Sequence, residues 1–91
     1  METKIKMMAA ASEVFSYRKR NPHAIHEEVF QHVSDFINQQ NLKDENAKIA
    51  MVGAAGKAFE MFTKNPTVPE KILLKEFMNF IPEILARISE E

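Results

Sequence analysis

Apolar residues recur every three or four positions through most of this chain, which places them on one side of an α-helix. The first such run covers residues 3–19, where one stripe is formed by Ile5, Met8, Ala11 and Phe15. Further runs cover residues 23–38 and 45–63. No segment alternates apolar and polar residues as a half-buried strand would. The pattern therefore predicts an all-α protein.

The same spacing predicts the buried side of each helix. For the second and third helices the predicted core positions are Ile25, Val29, Phe30, Val33, Phe36, Ile37, Ile49, Val52, Ala55, Phe59 and Phe62. A fourth helix follows through Ile72, Leu73, Phe77, Phe80 and Ile81. Pro82 removes a backbone hydrogen bond, so it predicts a kink or a break before the stripe continues to about residue 89.

Four signals predict where the helices begin and end. Asn21-Pro22 and Asn65-Pro66 each stop the preceding helix, and Asn21 is expected to close it in the left-handed conformation. Asp44 is the expected N-cap of the third helix. Thr67 and Glu70 have the spacing of a capping box, with Pro69 in the first turn of the fourth helix.

Residues 4–37 and 48–81 carry the same pattern. With a shift of 44 positions, ten of the 34 pairs are identical: Lys4/Lys48, Ile5/Ile49, Met7/Met51, Ala10/Ala54, Ala11/Ala55, Phe15/Phe59, Asn21/Asn65, Pro22/Pro66, Phe36/Phe80 and Ile37/Ile81. These matches predict two tandem αα-hairpins, the alternative being two unrelated hairpins with one amphipathic pattern. Two units are too few for a solenoid. We expect a single domain over residues 1–91, folded as a four-helix up-and-down bundle.

Composition narrows the classes of function. The net charge of −1, from 12 basic and 13 acidic residues, disfavours general affinity for nucleic acid or anionic membranes. The absence of cysteine excludes disulfides and thiolate metal sites. No apolar run approaches the roughly 18 residues of a membrane span, and the first residues lack the apolar core of a signal peptide. The expectation is a soluble cytoplasmic protein without a membrane partner.

Small residues interrupt the third helix at Gly53 and Gly56, and the equivalent positions of the first helix are Ala9 and Ser12. Close packing of the first helix on the third is the favoured interpretation, and a hinge or ligand groove beside the glycines is the alternative. A phosphate-binding loop does not fit, because only two residues separate the glycines and no Ser or Thr follows Lys57.

Two clusters are candidates for binding chemistry. His23, His26 and Glu27 share a helix face, with His32 farther along, and could hold a divalent metal; solvated surface histidines are the favoured interpretation. A basic helix end at Arg18–Arg20, together with Lys64, could contact nucleic acid, although cations also suit a helix C-terminus. No nucleophile motif or convergent carboxylate pair is present, so no enzymatic activity and no cofactor are expected.

Six methionines and seven phenylalanines either fill the core or form a pliable surface for a partner. The favoured function is therefore a non-enzymatic protein–protein interaction module or a homodimer, and the alternative is a nucleic-acid-binding accessory protein that uses Arg18, Lys19, Arg20 and Lys64. Residues 44–85, with the turn Asn65-Pro66-Thr67-Val68-Pro69, resemble the UPF0147 family of small, uncharacterised archaeal helical proteins. The first copy departs from this turn because residues 21–25 lack the second proline. The resemblance implies a four-helix bundle and supplies no catalytic residue.

Overall fold

The computed structural model describes the backbone of residues 2–89 and the side chains of residues 3–88. The outer ends of the predicted 1–91 domain lie outside these residues. The helices are α1 (Glu2–Arg20), α2 (His26–Gln39), α3 (Glu45–Lys64), α4 (Glu70–Phe77), a 3₁₀ turn (Met78–Phe80) and α5 (Ile81–Ser89). Residues 2–89 contain no β-strand. The prediction of an all-α protein is confirmed.

Both Asn-Pro pairs stop a helix in the same way. The backbone N–H and the side-chain amide of Asn21 donate to the carbonyl of Tyr17 at 2.8 and 3.1 Å. Asn65 donates twice to the carbonyl of Met61, at 2.9 and 3.2 Å. The expected left-handed conformation of Asn21 is wrong, because Asn41 is the one non-glycine with positive φ in the described part of the chain. The side-chain amide satisfies the last-turn carbonyl without it.

The first residues of α2 and α3 receive different caps. α2 begins three residues later than predicted, because residues 21–24 close a turn in which the N–H of Ala24 donates to the carbonyl of Asn21 at 3.0 Å. The N–H of Ile25 then donates to the carboxylate of Glu28 at 2.9 Å. Asp44 caps α3 by accepting from the N–H of Asn46 at 2.9 Å, which confirms that prediction.

The predicted capping box of the fourth helix is wrong. Pro69 occupies the N-cap position of α4, and no side chain caps that end. The carboxylate of Glu70 turns away from its own helix and accepts from the hydroxyls of Ser16 and Ser12 on α1, at 3.0 and 3.4 Å. The carboxylate of Glu70 therefore accepts hydrogen bonds from side chains of another helix, and not from the backbone N–H that the capping-box motif predicts.

Pro82 does interrupt the last helix, but the irregular turn lies upstream of it. Proline lacks the N–H that would reach the carbonyl of Met78, and its ring crowds that carbonyl. The N–H of Ile81 donates to the Met78 carbonyl instead, which tightens residues 78–80 into a 3₁₀ turn. Pro82 then lies in the first turn of α5, where its missing N–H leaves no intrahelical bond unmade. α4 packs mainly on α1, and α5 packs on α3.

The most extensive helix contact joins α1 and α3. Their facing sides are built from alanine and methionine, and the surrounding core is closed by larger side chains; the fully buried members include Met7, Ala10, Ala11, Val14, Phe15, Ala54, Ala55, Ala58, Leu73 and Phe77. Small side chains let two helices approach closely. Several residues that the sequence pattern assigned to the core are therefore exposed: Ile5, Ile25, Ile49, Val52 and Ile72.

Candidate functional site

A groove with a volume of about 610 Å³ lies between α3 and α5. Its apolar lining consists of Ile49, Val52, Ile84 and Ile88, with the two glycines of α3 between them. Ile49 is 45% exposed and Val52 is 52% exposed. The sequence pattern assigned both residues to the core, because their spacing from Phe59 and Phe62 is helical. The alanine residues on the neighbouring face of α3 are buried in the core instead. This run of alanines is the sequence signal that could have predicted the exposure of Ile49 and Val52.

Charged pairs line both edges of the groove. On α3, Lys57 lies 3.1 Å from Glu60, and on α5, Arg87 lies 3.1 Å from Glu83. Lys57 also lies 4.0 Å from the centroid of the Phe80 ring, a cation–π contact. Each edge carries one positive and one negative side chain, so the edges have no net charge. The feature that distinguishes this groove is therefore its apolar floor.

The cations around Glu60 change the pKa of this residue of the groove edge. The hydrogen bond from Lys57 lowers the pKa of Glu60 below its ordinary value of 4.5, and the charges of Lys57 and Lys64 act in the same direction. Glu60 is solvent-exposed, so salt and water weaken these interactions. Glu60 is therefore an ionised residue of the groove edge at neutral pH, without the raised pKa of a general acid.

The two glycines face helices other than the predicted one. A Cβ atom added at Gly53 would lie 3.2 Å from Cγ2 of Ile84 on α5. One added at Gly56 would lie 4.0 Å from Cζ of Phe30 on α2. The neighbours that meet these positions belong to α5 and α2, whereas the sequence pattern paired Gly53 and Gly56 with Ala9 and Ser12 of α1. Both glycines line the groove between α3 and α5, and the alternative interpretation, a hinge or ligand groove beside them, stays a prediction.

Three of the four candidate nucleic-acid contacts have partners within the protein. The guanidinium of Arg18 lies over the rings of Phe59 and Phe62, at 5.0 and 4.9 Å from their centroids. Lys19 donates to the carbonyl of Val68 at 3.1 Å. Lys64 lies 3.8 Å from Glu60. Arg20, at the last position of α1, is exposed. The basic helix end is therefore used largely to join α1 to α3 and to the turn before α4.

Two of the three candidate histidines contact aromatic rings. The ring of His26 lies 4.5 Å from that of Phe30 and 4.7 Å from that of Phe59, measured between centroids. His32 stacks on Tyr17 at 4.5 Å. His23 is exposed. Among residues 3–88, no group of three or more His, Cys, Asp or Glu side chains is arranged to hold a metal ion.

Two polar contacts between helices have no counterpart in the sequence motifs. The Nε2 atom of His32 lies 2.8 Å from the carboxylate of Glu13, which joins α2 to α1. Glu70 joins α4 to α1 through Ser12 and Ser16. Partners so far apart in the chain carry no local signal, so sequence reasoning could not find them. Each contact joins two helices that are separate in the sequence.

No family model, no curated protein and no solved structure matches this chain. The resemblance to the UPF0147 family stays a prediction. Within residues 2–89, no helix combines the length and the apolar character that crossing a bilayer requires.

Proposed function

We propose that this protein is a non-enzymatic interaction module that binds a helix of a partner protein in the groove between α3 and α5. The observation that carries the proposal is the exposure of two branched aliphatic side chains, Ile49 and Val52, in a groove whose opposite wall is also aliphatic. A small domain needs nearly all of its apolar residues for its own core. Apolar surface that stays open in a concave site is typical of partner binding.

The dimensions of the groove favour a single helix as the occupant. The lining residues of α3 extend from Ile49 to Glu60, which corresponds to about 17 Å of helix axis. This length matches a partner segment of about three turns. A helix that binds such a groove does so through side chains at positions i, i+3 or i+4, and i+7. Gly53 lets Ile84 of α5 approach α3 closely, and Gly56 adds no side chain to the floor of the groove.

We also propose that the fold arises from two tandem helical hairpins related by the shift of 44 residues. The supporting observations are boundaries and hydrogen bonds that recur at this spacing. α1 and α3 end at residues 20 and 64, and α2 and α4 begin at residues 26 and 70. The bonds of Asn21 to Tyr17 recur as those of Asn65 to Met61. The turn bond from Ala24 to Asn21 likewise recurs between residues 68 and 65.

Contacts between the hairpins support the same relation. The first turn of α2 packs on α3 through His26 and Phe59, and the first residue of α4 contacts α1 through Glu70 and Ser16. Each hairpin thus places the start of its second helix on the first helix of the other hairpin. A square up-and-down bundle would keep α1 and α3 on a diagonal, whereas these two helices share the largest contact. We therefore favour two hairpins wrapped around a central α1–α3 pair.

Site-directed cross-linking tests the binding proposal. A photo-reactive amino acid is placed at position 52, in the groove, or at position 72, where Ile72 is 47% exposed outside it. Each protein is added to native lysate and irradiated. We expect discrete protein adducts from position 52 that do not form from position 72. The same adducts from both positions, or none from position 52, would contradict a groove-specific partner.

A further inference from the structure

We propose that Lys57 is a positioning residue for partner binding, because it fixes the direction of α5 and thereby the width of the groove between α3 and α5. This role rests on the proposed function, since it concerns the same groove. The direction of α5 is a property of the chain alone, however, so it can be measured without a partner.

Lys57 connects α3 to the residue that precedes α5. Its Nζ atom lies 4.0 Å from the centroid of the Phe80 ring, and Phe80 is the last residue of the 3₁₀ turn before α5 begins at Ile81. The same Nζ atom lies 3.1 Å from the carboxylate of Glu60, and the Lys57 side chain is 27% exposed. A cation–π contact that is partly shielded from water is stronger than one at an exposed site. Lys57 therefore holds Phe80 against α3.

Backbone hydrogen bonds do not keep α4 and α5 on one axis. The N–H of Ile81 donates to the carbonyl of Met78, only three residues back, and Pro82 has no N–H to donate. Successive helical segments share an axis when i→i−4 hydrogen bonds continue across their junction, and a proline at the junction allows the segments to diverge. Side-chain contacts with α3 must then fix the direction of α5.

Contacts at two levels of α3 locate α5. The first is that of Phe80 with Lys57, and the second lies one turn later, where a Cβ added at Gly53 would be 3.2 Å from Cγ2 of Ile84. Ile88 lines the groove about 6 Å beyond Ile84 along the axis. Without the first contact, a rotation of α5 by about 10° around Ile84 would move Ile88 by about 1 Å. A gap of that size removes about a quarter to a half of a dispersion contact with a partner.

Four variants separate the ring contact from the ion pair. Lys57→Met keeps the aliphatic stem and loses the cation, whereas Lys57→Arg keeps a cation that can lie on the ring. Glu60→Gln removes the counter-ion alone. Lys48→Met is the matched control, because Lys48 forms an ion pair of the same three-residue spacing with Glu45 and lies outside the groove.

The distance between two nitroxide labels measures the direction of α5. The chain has no cysteine, so Thr63→Cys on α3 and Ala86→Cys on α5 supply two unique labelling sites, both exposed and outside the groove. Double electron–electron resonance on the purified chain should give one narrow distance distribution. We expect Lys57→Met to shift or broaden this distribution. Lys57→Arg, Glu60→Gln and Lys48→Met should leave it as in the wild type.

A distribution that Lys57→Met leaves unchanged would overturn the proposal. Equal shifts in Lys57→Met and Glu60→Gln would also overturn it, because they would assign the effect to the ion pair within α3.

The cross-linking assay in native lysate then tests the link to partner binding. Lys57→Met should lower the yield of adducts from position 52 at least about twofold, and Lys57→Arg should restore the yield. Equal yields from the wild type and Lys57→Met would overturn the role of Lys57 in binding, whatever the distances show. The absence of adducts from the wild-type chain would contradict the proposed function itself, whereas the distance measurement would still decide whether Lys57 controls α5.

Discussion

Replacement of Gly56 by alanine should stabilise the protein. Gly56 lies in the interior of α3 and its φ is not positive, so alanine can adopt the same backbone conformation. A glycine inside a helix costs about 1 kcal/mol relative to alanine. The added methyl group would meet Phe30 at 4.0 Å, an ordinary van der Waals distance. We therefore expect the free energy of unfolding to rise by about 1 kcal/mol, which corresponds to about 4–8 °C in Tm for a domain of this size.

Gly53→Ala is the matched comparison in the same helix. Its methyl group would lie 3.2 Å from Ile84, so the Ile84 side chain must move by a few tenths of an ångström. Ile84 is half-buried at the edge of an open groove, and it has room to move. The helix-propensity gain at Gly53 should therefore be smaller than that at Gly56. Urea unfolding followed by circular dichroism at 222 nm measures both differences.

The order of the two variants decides whether the account of the glycines is correct. A gain at Gly56 that exceeds the gain at Gly53 agrees with the distances to Phe30 and Ile84. Destabilisation by Gly56→Ala would refute the reasoning, because it would mean that α2 and α3 approach more closely there than the structure has them. If the glycines act as a hinge, their alanine variants should be more stable and should bind the partner more weakly.

Three further results are expected from other parts of the fold. Leu73→Ala should lower the free energy of unfolding by about 2–5 kcal/mol, because Leu73 is fully buried. Ile72→Ala, at the neighbouring exposed position, should change the free energy of unfolding by less than about 1 kcal/mol. Equal losses in urea unfolding would contradict the assignment of the buried and exposed faces of α4. Asn65→Ala removes a side-chain hydrogen bond to the last turn of α3 and should cost about 1 kcal/mol in the same assay; no loss would show that water replaces the amide. Because the pKa of Glu60 is lowered in the folded protein, ionised Glu60 contributes stability above about pH 4.5, and this stability is lost as the pH falls through the lowered pKa. Lys57→Met should raise the pKa of Glu60, measured by ¹³C-detected NMR titration. An unchanged pKa would contradict the pairing of Glu60 with Lys57.

The sequence was sufficient to predict that the helices form, because hydrophobic periodicity and helix stop signals are local. Asp44 capped α3 as predicted, and Asn65-Pro66 ended it. Local motifs failed where a distant residue offered a better partner. Glu70 has the spacing of a capping box, yet its carboxylate contacts serines on α1, more than 50 positions away. Periodicity alone has no means of ranking these two acceptors.

The candidate groove was harder to predict because α3 has two apolar faces. One is a stripe of small residues such as Ala54, and the other carries the branched side chains of Ile49 and Val52. Hydrophobicity favours burial of the branched residues, whereas close packing of α1 on α3 requires the small ones. The packing requirement decides the outcome here, and the bulkier face lines the groove. This choice depends on the shape of the other helix, which no single segment contains.

The most direct test of the proposed function compares the partners captured from native lysate by the wild-type chain, Val52→Glu and Ile72→Glu, quantified by mass spectrometry. Val52 and Ile72 are similarly exposed, but only Val52 lines the groove, so both variants add the same charge without opening the core. The account predicts at least one protein that the wild type and Ile72→Glu retain and Val52→Glu loses. Retention of every partner by Val52→Glu would contradict the assignment of the groove as the binding site.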